Sequence, residues 1–341
     1  MTTLQILHGT DFEGGVDAIA DAPNFAAVVD EFERRANDAG IASVLISSGD
    51  NYIPGPFFNA GGDGALAPTY EGFYNDFFGL IDTTGLGAAQ DANGDGFFDN
   101  GEIEQAITDG IVTFDQVYVT DVNGDGAPDY FEEIDLDPGR LDIAILNRLG
   151  LDASAVGNHE FDAGSGSFDD IINYESEEGN DLSPARFGNV NYLQEVDSPG
   201  AQFPYLAANL DFSADGLADI FTSDIETSEF FESDLLSARV DSDDPAATGD
   251  DGRDAKIAPA TIIEEDDERI GVVGATTQVL SSITSSGGVT PINAGTDDMP
   301  ALAAVLQPVI DDLTADGVDK IILTSHLQQF ALEEELAGLL E

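Results

Sequence analysis

The sequence predicts an α/β fold built on a parallel sheet. Three observations predict it. Short apolar strands alternate with amphipathic helices over most of the chain. The first strand–helix–strand unit has the length and pattern of two neighbouring parallel strands joined by a right-handed crossover. Metal-competent residues gather just after strands, where ligands sit in open α/β sheets.

Residues 3–8 read as a short buried strand. Residues 23–39 have helical spacing, with Phe25, Val28, Val29 and Phe32 on one face and Pro23 and Asn24 at the start. Gly40 ends that helix, and residues 41–47 form the second strand. Core-like patterning resumes with a helix at 139–149 and a strand at 152–156. Further strands are expected at 204–210, 257–263 and 269–275, and residues 241–254 read as an acid-rich loop. A helix at 300–315, a strand at 319–325 and a last helix at 329–340 complete the chain. Residues 84–138 break this rhythm and are rich in Gly and Asp.

Charge is extreme. The 341 residues carry 68 Asp and Glu against 10 Lys and Arg, a formal net charge of −58 spread along the whole chain. Such a surface repels nucleic acid polymers and anionic membranes and stays soluble where salt screens it, which points to a saline or marine source. There are no cysteines, so disulfides and thiolate metal sites are excluded. No apolar run reaches about 18 residues, so no membrane span is expected. Met1 runs straight into a strand, with no signal segment visible.

Four strand ends carry the chemistry. The first opens into Thr10-Asp11-Phe12-Glu13, the second into Gly49-Asp50-Asn51, the third into Gly157-Asn158-His159-Glu160-Phe161-Asp162, and the strand 319–325 into His326. Two of the three histidines lie at these ends. The third, His8, lies on the first strand and reads as a packed or hydrogen-bonded residue. Singly, Asp11 has an ordinary explanation as a turn residue and His326 as a capped strand end. Four successive strand ends in this order do not.

This order resembles the calcineurin-like metallophosphoesterases, and within them the 5′-nucleotidase branch with its secreted bacterial alkaline phosphatases. The resemblance covers most of the chain apart from residues 84–138 and 212–254. It implies a four-layer α/β/β/α sandwich with residues 1–83 and 139–341 as catalytic domain. It implies two divalent ions, drawn from Mn, Zn, Mg, Fe or Ca, that activate a water for attack on a phosphate ester. Asp11 and Glu13 would bind the first ion, Asp50 would bridge, and Asn158 and His326 would bind the second. His159 would act as general acid or transition-state stabiliser, oriented by Asp162, and Asn51 would contact the phosphate. The family usually has His where this chain has Glu13; a carboxylate there favours Mn²⁺, Mg²⁺ or Ca²⁺ over Zn²⁺. The family's closing Gly-His-x-His motif is absent, so the chain is expected to be truncated at its C-terminus and weakly active or inactive alone.

The insertion 84–138 contains a calcium-type repeat. Asp91, Asn93, Asp95, Phe97, Asp99 and Glu102 occupy positions 1, 3, 5, 7, 9 and 12 of an EF-hand-like loop, with Gly96 at position 6. Asp121, Asn123, Asp125, Ala127, Asp129 and Glu132 repeat it 30 residues later, with helical flanks expected at 102–108 and 130–134. Pro128 weakens the second match. Millimolar extracellular Ca²⁺ would fill weak sites of this kind, which favours an extracellular or periplasmic enzyme.

The function expected is hydrolysis of phosphate monoesters, with nucleotides or other organic phosphates as small-molecule partners. The alternatives are a phosphodiesterase of the same fold and a non-catalytic calcium-binding surface module with a decayed phosphoesterase fold.

Overall fold

The computed structural model describes residues 3–12, 16–121, 127–131, 134, 137–176, 193, 196–232, 255–265, 268–293 and 295–341. Glu13, the second-loop residues Asn123, Asp125 and Glu132, and the acid-rich stretch 241–254 lie outside the described residues.

The strands, in chain order, are β1 (Leu4–Gly9), β2 (Ala42–Ser47), β3 (Ala153–Ala155), β4 (Glu175–Ser176), β5 (Val196–Ser198), β6 (Tyr205–Leu206), β7 (Leu210–Asp211), β8 (Glu226–Thr227), β9 (Ile257–Ala258), β10 (Ala260–Glu265), β11 (Glu268–Thr276), β12 (Thr290–Pro291) and β13 (Lys320–His326). A five-stranded sheet runs β1-β2-β3-β6-β9, with every pairing parallel. A second sheet runs β13-β11-β10-β8, with β10 and β11 antiparallel and β11 and β13 parallel. The fold is therefore mixed α/β with a parallel sheet, as the alternating pattern predicts.

Strand alternation assigns the faces. On β2, Val44 and Ile46 join a core with Leu206 and Ala258 and with Ile263, Ile270 and Val272 of the second sheet. Leu45 points the other way. It packs with Val29 of the helix Val16–Ala39, Leu146 of the helix Arg140–Arg148 and Phe168 of the helix Ser165–Ile172. The second sheet buries Ile262, Val273 and Ala275 against Leu302, Leu306 and Leu313 of the helix Met299–Ala315. The two sheets touch at Gly274, where a Cβ would lie 2.1 Å from the Leu206 carbonyl oxygen.

Several expectations are corrected. The first helix starts at Val16 and keeps Pro23 in its interior, so Pro23 is not its first turn. Its buried stripe passes through Val29 and Ala36, while Val28 and Phe32 are exposed. The expected strand 204–210 is two strands, β6 and β7, in different sheets, and between them the buried Asn209 amide is bonded to the Thr276 backbone. The expected strand 257–263 likewise breaks at Pro259, which lacks a backbone donor, and the chain changes sheets there. In the insertion the helix Asn100–Thr108 forms, but Tyr130, Phe131 and Ile134 are not helical. Instead Ile81 pairs with Tyr118, and both pack with Ile103, Ala106, Val112 and Val117 in a small separate core. Among the described residues, no helix is long and apolar enough to cross a membrane.

Candidate metal centre

The site forms where β1, β2, β3 and β13 end. Parallel register aligns Gly9 with Ser47, and Ser47 with Ser154, so the three loops of the first sheet leave side by side. Asp11 and Asp50 both sit at positive φ, 51° and 52°, an unfavourable region for residues with a side chain and one that marks functional turns. Two backbone hydrogen bonds tie these turns together: Asp11 N–H to the Gly49 carbonyl at 3.1 Å and Ser48 N–H to the Gly9 carbonyl at 3.2 Å. Gly157 is forced by space, because a Cβ there would lie 2.2 Å from Asp50 Oδ1.

The second sheet delivers His326 through a Thr-x-His pair. Thr324 Oγ1 donates to the Ser47 carbonyl at 2.9 Å, and His326 Nδ1 lies 2.9 Å from the Ser48 carbonyl. A carbonyl only accepts, so Nδ1 carries the proton and Nε2 faces the site. Nε2 lies 2.9 Å from Asp50 Oδ2. One ligand atom from each of Asp11, Asp50 and His326 falls within 4.8 Å of the other two.

Asn158 and His326 meet at a common point. The Gln328 side-chain nitrogen lies 2.5 Å from Asn158 Oδ1 and 2.7 Å from His326 Nε2. The Gln328 amide thus lies against Asn158 Oδ1 and His326 Nε2, two atoms suited to hold a cation once Nε2 has lost its proton. Beside them, His159 Nδ1 lies 2.5 Å from Asp162 Oδ2. Its Nε2 is 3.8 Å from Asp50 Oδ2, and its backbone N–H donates to Asp50 Oδ1 at 2.8 Å.

The electrostatics follow from burial and pairing. Burial alone would raise the Asp50 carboxyl, but hydrogen bonds from His326 and the His159 N–H hold it below the ordinary carboxylate range. Burial pulls the His326 imidazolium down, but Asp50 outweighs that, with Glu160 adding, and raises it to about 9. The Asp50–His326 contact is therefore an ion pair at neutral pH.

Two residues without an assigned role in the sequence reading organise this site. Glu160 is 1% exposed, and its carboxylate accepts the N–H groups of Asp50 (3.0 Å), Asn51 (2.8 Å) and Gly157 (2.8 Å). Burial, then the nearby Asp50 charge, pushes its carboxyl up to about 7. Its one signal was an acid without an assigned role between His159 and Asp162 in the third strand-end loop. Gln328, at φ 67°, had none.

Asn51, expected to contact the phosphate, has its side chain in the interior beside the site. It is 2% exposed, with Oδ1 accepting from Ser47 Oγ at 2.6 Å and Nδ2 donating to Ser154 Oγ and Tyr205 Oη. Its amide is fully used in the interior, where it braces the β2 turn against β3 and β6. His8 hydrogen-bonds Ser48 Oγ at 2.8 Å, as expected of a residue with a bracing role.

The donor set suits divalent metal: carboxylate oxygens, an amide oxygen and an imidazole nitrogen, with a shared, buried carboxylate at the centre. No family model matches the chain. Over 189 residues, 55% of its length, the chain is 23% identical to the trifunctional nucleotide phosphoesterase protein YfkN of Bacillus subtilis. The chain is similar to a nucleotide phosphoesterase. The resemblance read from the strand-end loops is thereby borne out. Solved structures that align with it include a 5′-nucleotidase precursor from Thermus thermophilus (16% identity, TM-score 0.42, 98% of this chain and 39% of that one). Another is the NAD nucleotidase of Haemophilus influenzae (16% identity, TM-score 0.44, 98% of this chain and 36% of that one). The chain spans a tenth of the curated relative and well under half of either solved structure.

Proposed function

We propose that this chain is the catalytic part of a metal-dependent phosphomonoesterase acting on nucleotides or other small organic phosphates. The observation that carries the reading is the convergence of Asp11, Asp50 and His326 within 4.8 Å beside the His159–Asp162 pair. In this reading Asp11 and Glu13 would hold one divalent ion, Asn158 and His326 would hold the other, and Asp50 would be shared by both. Bound there, the ions would supply positive charge to the phosphate oxygens and acidify the attacking water. The chain's own cationic side chains are too few to do so, with 10 Lys and Arg in all.

His159 has the complementary task. Asp162 takes the Nδ1 proton in a hydrogen bond and fixes the ring, which leaves Nε2 to donate a proton to the departing oxygen. The four-layer sandwich belongs to the same proposal and is supported by the core between the sheets and the helix-backed cores outside them. So do Ca²⁺ at the two insertion loops and a location outside the cytoplasm, in salt.

Hydrolysis of p-nitrophenyl phosphate and of bis-p-nitrophenyl phosphate with added Mn²⁺ tests the activity. The reading expects ion-dependent cleavage favouring the monoester. Preference for the diester would support a phosphodiesterase instead. Calcium binding with no cleavage of either would support the non-catalytic module, the second reading, which the insertion loop 91–102 favours.

A further inference from the structure

We infer that the loop 91–102 holds its own Ca²⁺ and that this ion fastens the insertion to the helix Ala67–Phe77. Ligand chemistry and an unmet charge carry the inference. Glu102 is 9% exposed. Its Oε1 accepts the N–H groups of Ala92 (2.6 Å) and Asn93 (3.1 Å), so the carboxylate lies over the first turn of the loop. Its Oε2 is buried with no hydrogen-bond partner. A buried carboxylate oxygen left without a donor costs free energy unless a cation meets it.

The chain offers no cation nearby in sequence. Between Arg35 and Arg140 there is no Lys, Arg or His, while Asp91, Asp95 and Asp99 share the loop with Glu102. The loop is already wound about a centre: Asp91 accepts Gly94 N–H at 2.6 Å and Gly96 N–H at 3.2 Å, and Asp95 accepts Phe97 N–H at 2.8 Å. The available donors are all oxygens, and Gly96 has φ 92°, which gives the tight turn such loops need. An all-oxygen set of this size and flexibility selects Ca²⁺ over Mg²⁺ and over transition metals.

The loop is attached on its other side. Asp95 Oδ2 accepts from Thr69 Oγ1 at 2.5 Å, Glu71 Oε1 accepts Asn100 N–H at 2.6 Å, and the Phe97 and Phe73 rings meet at 5.5 Å. A Cβ on Gly72 would lie 3.1 Å from the Phe98 backbone, so the loop packs tightly on the helix here. An ion held by this loop would therefore also brace its seat on the helix.

Calorimetric titration of the full chain with Ca²⁺, from about 10 μM to 10 mM to span the affinities of such loops, tests this against Glu102→Gln. Glutamine keeps a carbonyl for the Ala92 and Asn93 N–H groups, so the loop retains its internal bonds. The expected result is loss of one Ca²⁺ equivalent in Glu102→Gln, together with loss of Ca²⁺-dependent protection of the insertion from limited proteolysis. Asp50→Asn is expected to keep that equivalent, so failure of the phosphatase reading leaves this one standing. Equal stoichiometry and affinity in wild type and Glu102→Gln, or protection unchanged by Ca²⁺ in the wild type, overturns it.

Discussion

Asp50 and His326 meet at 2.9 Å across the junction of the two sheets, one from the turn after β2 and the other from the last residue of β13. They lie far apart in the chain, and their contact joins the sheets at the site. The same contact makes the metal-free centre an ion pair and links its occupancy to pH.

His326 must lose its Nε2 proton to ligate metal, and Asp50 holds that proton up to about pH 9. Mn²⁺ binding at pH 7 is therefore expected to release about one proton, and affinity to rise as pH approaches 9. Without metal the sign reverses. A raised folded-state value gives stability that is fully present below the unfolded value of about 6.5 and lost as pH rises through about 9. Calorimetry in buffers of different ionisation enthalpy reads the proton directly. Proton release unchanged in His326→Gln would contradict the assignment.

Glu160 holds the Asp50 turn through three buried N–H groups. Glu160→Ala leaves them without an acceptor and is expected to cost at least about 2 kcal/mol. Urea midpoints at constant m-value measure this; a loss under about 0.5 kcal/mol would show that the turn holds itself.

Asp142 is 5% exposed, its Oδ2 has no partner, and burial pushes its carboxyl to about 7. Its folded value lies above the unfolded one, so the native state binds the extra proton between about pH 4 and pH 7, and stability falls as pH rises through that window. Asp142→Asn should therefore gain on the order of 1–3 kcal/mol over wild type at pH 8 and nothing at pH 4. A gain independent of pH would point to packing instead.

His159 and Asp162 belong to proton handling in the proposed function, not to ion binding. His159→Ala is expected to slow monoester cleavage by about 10²–10⁴-fold while leaving metal content unchanged. Asp162→Asn should act in the same direction through ring orientation. Loss of metal in His159→Ala would reassign the ring as a ligand.

That Asp11, Asp50 and His326 would gather was legible because each directly follows an apolar strand run, and parallel strands bring such ends to one edge. The strand count was less legible. A continuous apolar run does not say where the chain changes sheets, as it does at Pro259 and around Asn209. The bracing contacts of Asn51 were not legible, because its partners Ser154 and Tyr205 come from more than 100 residues away. Gln328 carried no local signal, since its position matters only once Asn158 and His326 are neighbours. The loop 91–102 was legible for the opposite reason: its six ligand positions lie within one short stretch.

Anomalous diffraction from crystals soaked in Mn²⁺ tests the central claim most directly. Two peaks about 3.5–4 Å apart on either side of Asp50, one against Asp11 and the other against Asn158 and His326, are the predicted result. A single peak, or none within reach of Asp50, would contradict it.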